Sequence, residues 1–228
     1  MESTLKTISF FLLSKHIRAL ALFAVVGFSS ASQANLLTNA SFEAPGCATS
    51  CILDTPAEAN YITGWTTVLS GVEYFNAPAF GFIAADGVMV VDLANYTYLT
   101  GGGICQTFAT TIGTTYDISF SAGNSRSSGR DGTGIVVVDV ANQHFEVPTA
   151  IATSAAMAWR TVDLSFTAVD NLSTLTFTNV QNPNFHFAGI DGVSVLRSTL
   201  NQNVPAPQTF ALLLFGLGLL RQTNRRKN

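Results

Sequence analysis

Two segments of this chain alternate apolar and polar residues with a period of two, and no other feature constrains the fold as strongly. The first segment is residues 116–121 (YDISFS) and the second is residues 161–166 (TVDLSF). A period of two places successive side chains on opposite faces of a β-strand, whereas a helix brings together residues three or four apart. Each segment therefore predicts a strand with one face in a hydrophobic core and the other in water.

Further segments have the composition of strands and are bounded by Gly, Asn, Asp or Pro. Pairs such as Asp86-Gly87 and Asp131-Gly132 supply the backbone angles that tight turns need. Eight or nine short antiparallel strands, with no convincing helix between them, predict an all-β fold, an antiparallel β-sandwich of the jelly-roll kind. The additional strands are predicted at residues 64–69, 88–93, 104–109, 134–140, 173–180 and 190–196.

The N-terminus has the order of a secretory signal peptide. Lys6, Lys15 and Arg18 precede an apolar run at residues 19–28, and small residues follow it. The alternative, a membrane anchor, is disfavoured because this run is far shorter than the roughly 20 residues that span a bilayer. We expect residues 1–34 to be a signal peptide with a helical apolar segment.

The C-terminus, residues 201–228, reads as a linker followed by a targeting tail. An uncharged apolar run at residues 210–220 is followed by four basic residues within 221–227. Eleven residues of helix rise about 16 Å, roughly half the thickness of a bilayer core. The basic cluster prefers the cytoplasmic side of a membrane. The tail therefore predicts a short apolar helix that tethers the chain transiently to the inner membrane, with its body outside.

Together with this apolar run and basic end, the break at Val204, Pro205, Ala206 and Pro207 resembles the PEP-CTERM sorting signal of Gram-negative bacteria. The usual motif has Glu where Ala206 stands. The resemblance implies that exosortase and the secretion machinery act on the chain, and that the chain accompanies exopolysaccharide production. It also implies a final location at the cell surface, the outer membrane or the extracellular matrix.

The body between these ends, residues 35–200, is predicted to form one domain and is strongly acidic. Residues 35–203 contain four arginines, no lysine and 13 acidic residues. Such a surface repels phosphate backbones, so nucleic acid is excluded as a partner.

The three cysteines predict one disulfide. An exported chain reaches an environment in which disulfides persist. Cys47 and Cys51 can close a small loop, so we predict that they pair. Cys105 is left over in a predicted strand, where a buried thiol is favoured over a reactive one.

Aromatic residues concentrate in two stretches near acidic and amide side chains, and this favours a sugar-binding site. Sugars present apolar C–H faces to aromatic rings, while their hydroxyl groups bind carboxylates and amides. Packing of the same rings in the core is the competing interpretation. The candidate residues are Tyr74, Asp86, Asp92, Asn95, Tyr96 and Tyr98, with Phe75, Phe80 and Phe82 in the same stretches.

Catalysis has little support in the sequence. His144 and His186 belong to no recognisable catalytic pattern. Asp86 and Asp92 could serve a glycoside hydrolase, which needs two carboxyl groups about 5 to 10 Å apart, but Asp86 before a glycine is typical of a turn. The Gly- and Ser-rich residues 123–132 are predicted to be a solvated loop. We expect no enzymatic activity.

The opening of the body, residues 35–43 (NLLTNASFE), resembles that of the choice-of-anchor C proteins, which are related to the domain-of-unknown-function family 642 of plant cell walls. The resemblance implies a galactose-binding-like sandwich and no defining enzymatic activity. It also implies a structural Ca²⁺ site at Glu43 and Asp191, because Ca²⁺ favours carboxylate oxygens. The alternative is that Glu43 caps a turn and Asp191 is an edge carboxylate. Further matching blocks are residues 62–65, 85–87, 91–93, 106–108, 115–120, 175–177 and 190–195.

These observations combine into an exported, non-enzymatic protein of the cell surface or extracellular matrix that interacts with exopolysaccharide. Two alternatives stay open. One is a purely structural protein of the biofilm matrix, and the other is a polysaccharide-active enzyme.

Overall fold

The computed structural model describes residues 33–93 and 101–199, which form two antiparallel β-sheets packed face to face. The larger sheet has the strand order β1-β3-β4-β11-β6-β9, and the smaller has the order β2-β5-β10-β7-β8. The strands are β1 Ser50–Leu53, β2 Thr66–Leu69, β3 Val72–Asn76, β4 Met89–Asp92, β5 Gly102–Ala109, β6 Thr115–Asn124, β7 Ile135–Val140, β8 Gln143–Pro148, β9 Ala158–Thr167, β10 Leu172–Thr178 and β11 Gly189–Arg197. Short 3-10 helices lie at Ala77–Phe80 and Ser127–Gly129.

The two segments with period-two alternation are neighbouring strands, β6 and β9. Their register places Tyr116 opposite Phe166 and Phe120 opposite Val162. These four side chains are buried, while Ser165 on the other face is exposed. The predicted antiparallel sandwich is confirmed, and the alternation is what positions its core.

Aromatic side chains from both sheets fill the space between them. Trp65 is almost fully buried and packs against Phe42 and Phe177, with ring centroids 5.0 and 6.3 Å away. Its indole N–H donates to the carbonyl of Asn39 at 3.0 Å, so its polar atom is satisfied inside the core. Trp65 is therefore a core residue.

The structure has three strands that the sequence pattern did not predict, β1, β3 and β8. Strand β8 lies at the edge of the smaller sheet, and several of its side chains face solvent. Strand β3 lacks a simple alternation because it is covered on both faces: Val72 and Tyr74 face the main core, and Phe75 belongs to a second apolar cluster.

This second cluster lies on the outer face of the larger sheet. Phe75, Ala77, Val90 and Phe187 are buried there, beneath segments that include Phe82 and Trp159. Strand β4 is consequently buried along its whole length.

No helix within residues 33–93 and 101–199 is long and apolar enough to cross a bilayer. Residues 1–32 of the predicted signal peptide and the predicted sorting tail, from residue 201 onward, lie outside the described residues.

Candidate functional site

A cleft of about 600 Å³ opens on the outer face of the larger sheet. This volume is typical of ligand sites, which span roughly 300–1,000 Å³. Because Tyr74 faces the core, its neighbours Glu73 and Phe75 face outward and form part of the floor. The lining residues are Ile52, Glu73, Phe75, Phe80, Phe82, Ser127, Ser128, Arg130, Ala155 and Phe187.

One wall of the cleft is aromatic. The rings of Phe80 and Phe82 lie at an interplanar angle of 23°, with centroids 6.3 Å apart. Phe75 meets both rings edge-on, at 5.8 and 6.2 Å. Phe80 is 49% exposed and so offers a ring to solvent above a packed base.

The aromatic wall is positioned by a short segment, Asn76-Ala-Pro-Ala-Phe80-Gly81, whose conformation follows from its own residues. The Asn76 side chain accepts the N–H of Ala79 at 3.3 Å and caps the 3-10 helix, and Pro78 stands in its first turn. Gly81 then ends the helix at a φ of 73°, in the left-handed region that glycine adopts without strain.

The polar part of the cleft is lined by Glu73 and Arg130, and a second acid, Asp92, is buried next to them. Glu73 and Asp92 stand directly opposite each other on β3 and β4. Asp92 is fully buried and pairs with Arg130, whose Nη2 lies 3.3 Å from Oδ2 of Asp92. Glu73 is only half-buried and accepts the hydroxyl of Ser50 at 2.6 Å. Glu73 is therefore the carboxylate that lines the cleft.

Arg130 is fixed in place by further contacts. Its Nε donates to the carbonyl of Pro183 at 3.1 Å. Its guanidinium carbon lies 5.0 Å from the centroid of the Phe187 ring, within the range of a cation–π contact. The Arg130 side chain is only 6% exposed, so it is a fixed part of the cleft lining.

The loop that follows the aromatic wall is held by the carboxylate of Asp191. Its Oδ2 accepts the N–H groups of Ala85 and Asp86, both at 2.8 Å, and its Oδ1 accepts that of Gly192 at 2.7 Å. Burial raises the pKa of Asp191 to about 7, although these three backbone donors act in the opposite direction.

Glu43 holds the same loop from the other side. Its Oε1 accepts the N–H groups of Val88 and Met89, both at 2.9 Å. Three of the four carboxylate oxygens of Glu43 and Asp191 thus face backbone donors. Ca²⁺ requires about six to eight oxygen ligands, and within the part of the chain that the structure describes no three His, Cys, Asp or Glu side chains are grouped to hold a metal. In this arrangement Glu43 caps a turn, and the calcium site at Glu43 and Asp191 stays a prediction.

Residues 35–195 match the profile of a family described as "Protein of unknown function (DUF642)". The chain belongs to the DUF642 family. The match covers the blocks that suggested this relationship and ends before the tail. No curated protein sequence matches the chain.

Several solved structures resemble this DUF642 domain at low identity. The module TmCBM61, solved in complex with β-1,4-galactotriose, is 14% identical over 72% of this chain and 99% of its own, with a TM-score of 0.44. A family 35 carbohydrate-binding module from Clostridium thermocellum is 15% identical over 66% and 100%, with a TM-score of 0.40. A CBM4 structure is 15% identical over 71% and 99%, with a TM-score of 0.40.

Of the predicted sugar residues, Tyr74, Asp86 and Asp92 fall within the described part of the DUF642 domain, and they do not share one surface site. Tyr74 is fully buried, because it lies on the core face of β3, and its hydroxyl donates to the carbonyl of Phe42 at 2.5 Å. Burial also raises the pKa of Tyr74 to about 12. Asp92 is enclosed beside Arg130, and Asp86 is exposed on the loop that Asp191 holds. Asn95, Tyr96 and Tyr98 lie outside the described residues.

The aromatic stretch nevertheless contributes to the cleft through Phe75, Phe80 and Phe82. Sequence reasoning missed Glu73, because β3 was not predicted, and it missed Arg130. The expectation of a solvated loop at residues 123–132 is wrong at two places. Gly123 and Asn124 are buried residues of β6, and Arg130 inserts beneath the surface.

The remaining candidate residues lie away from the cleft lining. His144 is exposed, and its hydrogen bond with Asp139 at 2.7 Å raises its pKa. Nδ1 of His186 lies 3.4 Å from Oδ1 of Asp131.

The cysteines of the domain occupy two places. Cys47 and Cys51 are joined in a disulfide. Cys105 is a half-buried thiol on β5, and burial raises its pKa.

Proposed function

We propose that the cleft binds a carbohydrate chain and that the protein acts as a non-enzymatic carbohydrate-binding protein. The observation that carries the proposal is the pair of near-parallel rings, Phe80 and Phe82, beside the half-buried carboxylate of Glu73. The rings suit the apolar C–H face of a sugar, and the carboxylate accepts hydroxyl protons. The hydroxyl groups of Ser127 and Ser128 line the same cleft and can donate or accept.

A binding role rather than a hydrolytic one is supported by the state of the two neighbouring acids. A glycoside hydrolase needs two carboxyl groups about 5 to 10 Å apart that both reach the scissile bond. Glu73 and Asp92 are adjacent, but Asp92 is fully buried and paired with Arg130. Glu73 is thus left as the acidic group that lines the cleft.

We also propose that the protein is exported and that exosortase sorts it to the surface or matrix of a Gram-negative bacterium, where exopolysaccharide is its partner. Support comes from the signal-like residues 1–34, the motif at residues 204–207 and the basic end. The disulfide between Cys47 and Cys51 suits an oxidising compartment.

The proposal is tested by measuring retention and affinity on a panel of polysaccharides for the wild type and for Phe80→Ala and Phe82→Ala. Loss of a ring contact worth about 1.4 kcal/mol should weaken binding about tenfold. Phe185→Ala is the matched control, since Phe185 is 58% exposed and does not line the cleft. If the wild type binds no polysaccharide, or if the control weakens binding equally, the proposal is refuted. The purely structural matrix protein would then be favoured.

A further inference from the structure

We infer that the cleft selects sugar chains without carboxylate groups, neutral or amino sugars, and rejects chains rich in uronic acid. This inference rests on the proposed carbohydrate-binding function. The juxtaposition of Glu73, which lines the cleft, with the buried ion pair of Asp92 and Arg130 carries it.

The charges of these three residues do not cancel. The register of β3 and β4 places Glu73 directly opposite Asp92, so that the two side chains leave the sheet on the same face about 5 Å apart. Among the residues that line the cleft in the described part of the chain, Arg130 is the one basic side chain. Two carboxylates with one guanidinium leave a net negative charge.

Arg130 already binds other groups of the protein. It contacts Asp92, the carbonyl of Pro183 and the ring of Phe187. Turning its guanidinium toward a bound uronate would leave Asp92 charged and without this partner in the interior. Breaking this buried ion pair costs more free energy than an exposed ion pair with the uronate would gain.

Glu73 faces the ligand with acceptor capacity only. Its Oε1 accepts the hydroxyl of Ser50, which leaves its other lone pairs to receive hydroxyl or ammonium protons from a sugar. A uronate carboxylate in the same place can donate nothing and is repelled by the like charge. The surrounding domain, with 13 acids and four arginines between residues 35 and 203, adds to this repulsion.

The full exported protein should be applied to a glycan array that contains neutral, amino and uronate glycans. The best neutral ligand should then be compared by calorimetry with the same oligosaccharide oxidised at C6 to the uronic acid. We expect the oxidised form to bind at least about tenfold more weakly at low ionic strength, and the difference to shrink in salt.

Glu73→Gln keeps an acceptor for Ser50 but removes the charge, so the ratio of uronate to neutral affinity should rise about tenfold. Asp163→Asn is the matched control, because it removes one exposed charge from the outer face of the same sheet. Equal binding of the two ligand forms by the wild type, or the same ratio in both variants, would overturn the selectivity while leaving the proposed function intact. An array with no bound glycan would overturn both.

Discussion

Replacing Arg130 with Met should destabilise the domain strongly, because it leaves the buried carboxylate of Asp92 without its ion pair. Asp92 is 0% exposed and Arg130 is 6% exposed, with 3.3 Å between their charged atoms. Removing one partner of a buried pair costs about 3–5 kcal/mol, most of it from the uncompensated charge. In a domain of this size each kcal/mol lowers the melting temperature by about 2–4 °C, so a drop of roughly 10 °C is expected.

The charge argument can be separated from the packing argument by a second substitution. Arg130→Met also removes the bond to Pro183 and the contact with the Phe187 ring, and Asp92→Asn restores neither. Adding Asp92→Asn to Arg130→Met removes the charge of Asp92, so the double variant should recover about 2 kcal/mol. Arg160→Met, at an exposed position on β9, should change stability by less than about 0.5 kcal/mol.

Urea unfolding at pH 7, followed with the disulfide intact, gives these free energies directly. A loss below about 1 kcal/mol for Arg130→Met would refute the reasoning. A double variant no more stable than the single one would show that packing, rather than the buried charge, governs the site.

Two further changes test the contacts that hold residues 83–86, in the loop after the aromatic wall. The pKa of Asp191 is about 7 in the folded domain and about 4 in an unfolded chain, so the folded state binds an extra proton between these pH values. The free energy of unfolding should therefore rise as the pH falls from 8 to 5, and Asp191→Asn should flatten that slope. An unchanged slope in the variant would contradict the assignment. A Cβ at Gly123 would lie 2.4 Å from the ring of Trp159, whose indole N–H donates to the carbonyl of Ile83 at 2.8 Å. Gly123→Ala should therefore lower the free energy of unfolding by about 1–3 kcal/mol and shift tryptophan emission to the red. Unchanged emission would show that the indole had not moved.

The sandwich was predictable because its most regular strands are covered on one face only. In β6 the core side chains Tyr116, Ile118 and Phe120 alternate with polar ones, so the pattern and the burial agree. Strand β4, the sequence Met-Val-Val-Asp, is buried on both faces and has no alternation, and it was found only through its apolar run and turn signals. The second apolar cluster was beyond prediction, since no local pattern indicates that an outer sheet face will be covered.

The cleft was only half predictable, because its location depends on which face of β3 looks outward. Tyr74 and Phe75 are adjacent aromatic residues, so either one could have pointed into the core. A slip of one residue in register exchanges the two faces of a strand. The pairing of Cys51 with Tyr74 and of Ile52 with Glu73 determines the outcome, and that pairing is a long-range property. The prediction therefore took Tyr74, which faces the core, and missed Glu73, which lines the cleft.

Glu43 and Asp191, the residues of the predicted calcium site, both bind the backbone of one loop. They stand 148 positions apart, yet both carboxylates converge on the backbone of residues 85–89, with four N–H groups from that loop between them. Backbone N–H groups carry partial positive charge, so they stabilise the two carboxylates in this arrangement. The loop begins where the wall of Phe80 and Phe82 ends, and Trp159 fixes it again at Ile83. Because these bonds order the wall before any ligand arrives, less conformational entropy is lost on binding than with a free loop.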